Sequence, residues 1–143
     1  MPTTSSQVDE MIQRLNASLG WEMRAQTMYS HYAAYVKGIH RLHLKPYFEG
    51  EASESVLHGN TVREQIVKLG GVAITDRDPA EIVHTTDYKT MLSESLETEK
   101  RAAAGYKGFL ELPGIDSELY DAIEQIYFQE ERSIEELTQL LDS

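Results

Sequence analysis

Residues 70–86 read GGVAITDRDPAEIVHTT. This tract opens on a glycine pair, carries Pro79 near its centre and shows neither helical nor strand periodicity. It interrupts a chain otherwise rich in Ala, Leu, Glu, Gln and Met, the strong helix formers. The segments that flank it predict four long helices: helix A from about Ser6 to Lys37, helix B from about Leu44 to Leu69, helix C from about Asp87 to Leu112 and helix D from Asp116 to Leu141. Ser5 or Ser6 is the expected N-cap of helix A and Gly38 its stop. Pro46 fits the first turn of helix B, Gly70-Gly71 ends it, and Asp116 caps helix D behind Pro113-Gly114.

Helices of this length run about 40 Å at ~1.5 Å per residue. The turns between A and B and between C and D are short, which makes each pair antiparallel. Residues 70–86 are long enough to travel the whole bundle, so B and C are expected to be parallel. The predicted fold class is all-α: a single-domain four-helix bundle over residues 1–143 with one long B to C crossover.

Helical spacing picks out one inward stripe per helix. Helix A offers Val8, Ile12, Leu15, Leu19, Glu22, Gln26, Tyr29, Ala33 and Val36. Helix B offers Leu44, Phe48, Glu51, Ser55, His58, Val62, Gln65 and Leu69. Helix C offers Leu92, Leu96, Glu99, Ala103, Tyr106 and Leu110, and helix D offers Ile123, Tyr127, Glu130, Ile134, Leu137 and Leu141. Each stripe is apolar except near its middle, where Glu22, His58, Glu99 and Glu130 fall. A lone glutamate on a helix stripe reads as a solvated edge. The same interruption at matching depth in four helices reads as a metal site, because uncompensated buried carboxylates cost several kcal/mol each and no Lys or Arg shares these stripes. Carboxylate oxygens with an imidazole suit iron, manganese or zinc. Glu51 and Glu54, within two turns of His58, are further ligand candidates. Tyr29 and Tyr106 are expected to pack in the core and hydrogen-bond to the site, and the cluster His40-Arg41-Leu42-His43 reads as a surface loop.

Composition narrows the function. The formal net charge of -11 opposes binding to nucleic acid or anionic lipid and favours cations. With no cysteine there is no disulfide, thiolate metal site or cysteine nucleophile. No tract has the ~20 apolar residues of a membrane span, and MPTTSSQVDE lacks the features of a secretion signal, so a soluble cytoplasmic protein is expected.

The chain resembles the ferritin-like superfamily, and within it bacterioferritin, through GWEMRAQTMYSHY in helix A, HGNTVREQIVKLGGVAI in helix B and YFQEERSIEEL in helix D. The resemblance implies a homo-oligomer that binds iron and oxidises it with oxygen or peroxide, for storage or detoxification. Glu22 and Glu99 would be terminal carboxylates, Glu130 a bridging carboxylate and His58 a terminal imidazole. The departures are specific. Where the family places Glu-x-x-His on helices B and D, this chain has Ser55-Val56-Leu57-His58 and Glu130-Glu131-Arg132-Ser133. One bridging carboxylate and one histidine are replaced by serine, which favours a mononuclear or asymmetric site. Val56 occupies the position of the family's axial methionine, so no haem is expected. The family's short fifth helix has no counterpart before Ser143, so a smaller cage or a simpler oligomer is expected. No Lys or Arg precedes Arg14, so DNA binding through a basic N-terminal tail is not expected. The alternative is a ferritin-like scaffold or partner subunit that has lost the chemistry; another redox enzyme on the same bundle, peroxidase-like or manganese-using, is the third reading.

Overall fold

The computed structural model describes residues 3–142. It holds four α-helices, α1 (Ser5–Tyr35), α2 (Arg41–Lys68), α3 (Tyr88–Leu110) and α4 (Ser117–Leu141), and no strand among the described residues. The ends differ modestly from the sequence reading. Thr4, rather than Ser5 or Ser6, is the N-cap of α1: its hydroxyl accepts from the Gln7 amide while the Gln7 side chain accepts from the Thr4 amide. Helix α1 stops at Tyr35, before Gly38, which instead takes a φ of 83° in the turn. Helix α2 begins at Arg41, which puts Pro46 inside the helix rather than in its first turn. Asp87 and Asp116 cap α3 and α4 through the Thr90 and Leu119 amides.

Side-chain pairs fix the helix directions. Tyr29 meets Glu99 and Glu22 meets Tyr106, so α1 and α3 run antiparallel. His58 meets Glu130 and Glu51 meets Ser133, so α2 and α4 do as well. Between α2 and α3 the crossover climbs α1 in steps. Asn16 binds the Val72 carbonyl and the Ile74 amide, and the Gly20 carbonyl accepts from the Asp78 amide. Above them Arg24 holds the carbonyls of Ala80 and Glu81, and Tyr32 holds that of Val83. The anchors follow α1 from residue 16 to residue 32, so the crossover spans the bundle and α2 and α3 are parallel, as its length requires.

The core lies in two apolar blocks. One gathers Met28, Tyr29, Tyr32, Val36, Phe48, Met91, Leu92 and Leu137. The other gathers Met11, Leu15, Leu19, Val62, Ile66, Tyr106, Phe109, Ile123 and Ile126. Burying each large side chain contributes about 1.5–3 kcal/mol. Between the blocks lies a buried polar layer of Glu22, Ser55, His58, Ser95, Glu99, Glu130 and Ser133. Arg24 is also buried, a feature absent from the predicted stripes. It faces the crossover and Thr98 instead of the polar layer, and its guanidinium stacks 4.9 Å from the Trp21 ring centroid.

Candidate metal centre

Three helices deliver the central groups. Glu22 comes from the middle of α1, His58 from α2 and Glu130 from α4, all buried, and one potential ligand atom of each lies within 4.8 Å of the others. His58 Nδ1 stands 3.1 Å from Glu130 Oε1 and 3.4 Å from Glu22 Oε2. Its other nitrogen, Nε2, faces Gln129 Oε1 at 2.5 Å and Glu54 at 3.6 Å. The Gln129 contact is one that periodicity misses: this side chain adjoins the stripe position Glu130, and only the rotation of α4 turns it to the imidazole.

The electrostatics show how such a cluster stays buried. Burial, and then the neighbouring Glu130 charge, push the Glu22 carboxyl up to about 8, while hydrogen bonds from His58 and Tyr106 pull the other way. For His58 burial favours the neutral ring, but the hydrogen bonds and charges of Glu130 and Glu22 outweigh it and push the imidazole up to about 11. Without a metal, a proton on His58 therefore does the work of a cation between two acids.

The remaining candidates divide. Glu99 is buried in the same layer but stands outside the three-residue group, with Tyr29 donating to its carboxylate at 2.6 Å. Tyr106 likewise donates to Glu22, so both tyrosines pack in the core and hydrogen-bond to the layer as expected. Glu51 is half-buried, accepts from Ser133 at 3.4 Å, and is pushed up to about 7 by burial and by Glu54. Beside it the Tyr47 hydroxyl is buried next to the Glu51 carboxyl, and burial and then the Glu51 charge push it up. His40 stacks on Tyr88 with ring centroids 4.0 Å apart, and His43 is exposed.

Access runs between α2 and α4, the helix pair that packs most loosely. A groove of about 610 Å³ there reaches His58, Gln129 and Glu54 and is edged by Glu118 and Asp121. A second, of about 410 Å³, is lined by Glu51, Glu54, Ser133 and Glu136. The first carries an acidic rim suited to a cation, and the second sets three glutamates beside Arg132.

The donor set fits one divalent cation: two carboxylates and one imidazole converge, with the open groove beyond His58. It is short for two, because Ser55 and Ser133 offer hydroxyls and Glu99 stands outside the converging group.

A family model for the ferritin-like domain matches residues 12–143. The chain belongs to the ferritin-like family. This ferritin-like chain is 34% identical to a ferritin-like, diiron-carboxylate protein from Bacillus anthracis str. Ames, with 97% of this chain and 100% of that one covered and a TM-score of 0.90. It is 26% identical to the dodecameric thioferritin, a bacterioferritin-related protein, of Bacteroides fragilis, over 94% and 85% of the two chains with a TM-score of 0.87. Its fold also matches the bacterioferritin of Desulfovibrio desulfuricans at 17% identity, over 95% and 80% of the chains with a TM-score of 0.87. No curated protein matches it. Among the described residues no helix is long and apolar enough to cross a membrane.

Proposed function

We propose that the protein binds ferrous iron at Glu22, His58 and Glu130 and oxidises it, for iron storage or detoxification, as a cytoplasmic homo-oligomer. The observation that carries this reading is the convergence of three buried donor groups from three helices within 4.8 Å, one of which, His58, lines an acidic groove. Iron is here the substrate: each ferrous ion gives up one electron, so two ferrous ions with two protons reduce one peroxide to two waters, or four with four protons reduce one dioxygen to two waters, the oxidant arriving through the α2–α4 groove. Manganese or zinc suits the same donors. The protein's own residues do three things. Glu22 and Glu130 supply anionic oxygens, His58 exchanges its Nδ1 proton for the metal, and Gln129 accepts from Nε2–H, which holds the ring with Nδ1 inward. Tyr106 and Tyr29 fix the orientations of Glu22 and Glu99.

Ser55 and Ser133 make one tightly held ion per chain the working state, with Glu99, Glu51 and Glu54 as reserves that reach a second ion only by changing rotamer. The same substitutions favour a second reading, a ferritin-like scaffold or partner subunit without oxidation chemistry. Anaerobic ferrous titration of metal-free protein, followed by oxygen, separates them. One iron per chain and oxidation faster than buffer, both lost in Glu130→Ala, supports the ferroxidase reading. Buffer-like oxidation with no bound iron leaves the scaffold.

A further inference from the structure

We propose that His31 and His84 form a second metal site, a surface chelate for a borderline divalent cation of the zinc class. His31 Nε2 and His84 Nδ1 lie 2.8 Å apart although the residues are 53 positions apart in sequence. The two nitrogens share a hydrogen bond, and two nitrogens on one tetrahedral zinc at ~2.0–2.1 Å are separated by roughly 3.3 Å, so moving the shared proton to the donor ring's other nitrogen and a shift of about half an ångström turn this pair into a chelate.

The pair is held from both sides. Tyr32 donates to the Val83 carbonyl at 2.8 Å, which fixes the backbone beside His84. The Tyr35 ring lies 4.5 Å from the His31 ring and meets the His84 ring edge-on at 4.7 Å. Neither imidazole must be ordered at the moment of binding, and a preorganised pair binds more tightly than two free ones.

This site is separate from the buried centre. At ~100° per residue, His31 is half a turn around α1 from Glu22, on the side that receives the crossover. His84 is exposed and His31 half-buried, which leaves the other coordination positions to water. Imidazole nitrogens without a carboxylate select zinc, copper or nickel over magnesium and calcium. The bound ion ties the end of the crossover to α1, so metal stabilises the fold by mass action.

The test is equilibrium dialysis of zinc against full-length protein carrying Glu22→Gln and Glu130→Gln, which silences the buried centre. We expect one zinc per chain, an affinity at least tenfold lower when His31→Ala or His84→Ala is added, and no change with His43→Ala. Unchanged binding in the His31→Ala, His84→Ala combination overturns the proposal. So does the absence of zinc binding, or a stoichiometry that varies with protein concentration, which marks zinc bridging two copies. Imidazole NMR of the unsubstituted protein gives an independent readout: zinc shifts the His31 and His84 resonances together, and shifts confined to His58 contradict the chelate.

Discussion

Tyr106 on α3 donates its hydroxyl to the Glu22 carboxylate on α1 across 2.5 Å, deep in the bundle and one helix away from His58. A buried hydrogen bond to an ionisable group contributes about 1.5–3 kcal/mol, and its loss leaves the partner unsatisfied. Tyr106→Phe keeps the ring and deletes the donor. It should lower stability in urea by about that amount and weaken ferrous binding, with the helical circular dichroism of the folded protein unchanged.

The metal-free protein should lose stability as pH rises. Glu22, raised from 4.5 to about 8, and His58, raised from 6.5 to about 11, both hold protons more firmly folded than unfolded. Their contribution is complete below the unfolded values and is lost as pH climbs through the folded ones, from about 4.5 to 8 for Glu22 and from about 6.5 to 11 for His58. Metal displaces those protons, so affinity should rise over the same range. Urea melts from pH 5 to pH 9 with and without zinc check both signs, and a metal-free stability that climbs with pH contradicts them.

Glu22→Gln separates stability from function. It removes a buried charge that Glu130 repels, so above pH 8 the metal-free variant should be more stable than the parent, by an amount on the order of 1 kcal/mol. Zinc or ferrous iron should then give it far less stabilisation, because one anionic ligand is gone. Thermal melts with and without metal read both effects.

Restoring Ser55→Glu and Ser133→His together should add a second metal per chain. A void of about 100 Å³ between Glu22 and Ser55 receives the carboxylate, and the groove of about 410 Å³ beside Ser133 and Glu51 receives the imidazole. Metal counted after dialysis decides it: an unchanged stoichiometry means the polar layer has repacked beyond simple repair.

Arg24 anchors the crossover through the Ala80 and Glu81 carbonyls and donates to Thr98 on α3. Arg24→Met fills the space without the donors. A cost of at least about 1.5–3 kcal/mol is expected, together with faster proteolysis after Arg77 than in the parent.

Local rules suffice for most of the helices: residue periodicity, capping aspartates and the Gly70 stop depend on neighbours three or four positions away, although α1 ends at Tyr35 rather than at Gly38, and Leu15, Leu19, Phe48, Val62, Ile123 and Leu137 are buried where their spacing puts them. The length of residues 70–86 likewise determines the parallel α2–α3 relation, since a shorter link cannot cross the bundle. The sequence also places Glu22, His58, Glu99 and Glu130 inward. It does not decide which of them meet. That depends on how each helix is rotated and shifted against its neighbours, which the packing of the two apolar blocks sets. Tertiary structure therefore brings Glu22, His58 and Glu130 together, places Glu99 against the Tyr29 hydroxyl, turns Gln129 to His58 and joins His31 to His84. Such contacts join residues from 36 positions apart, for Glu22 and His58, to 108 apart, for Glu22 and Glu130, and no short-range pattern encodes the meeting of atoms that far apart.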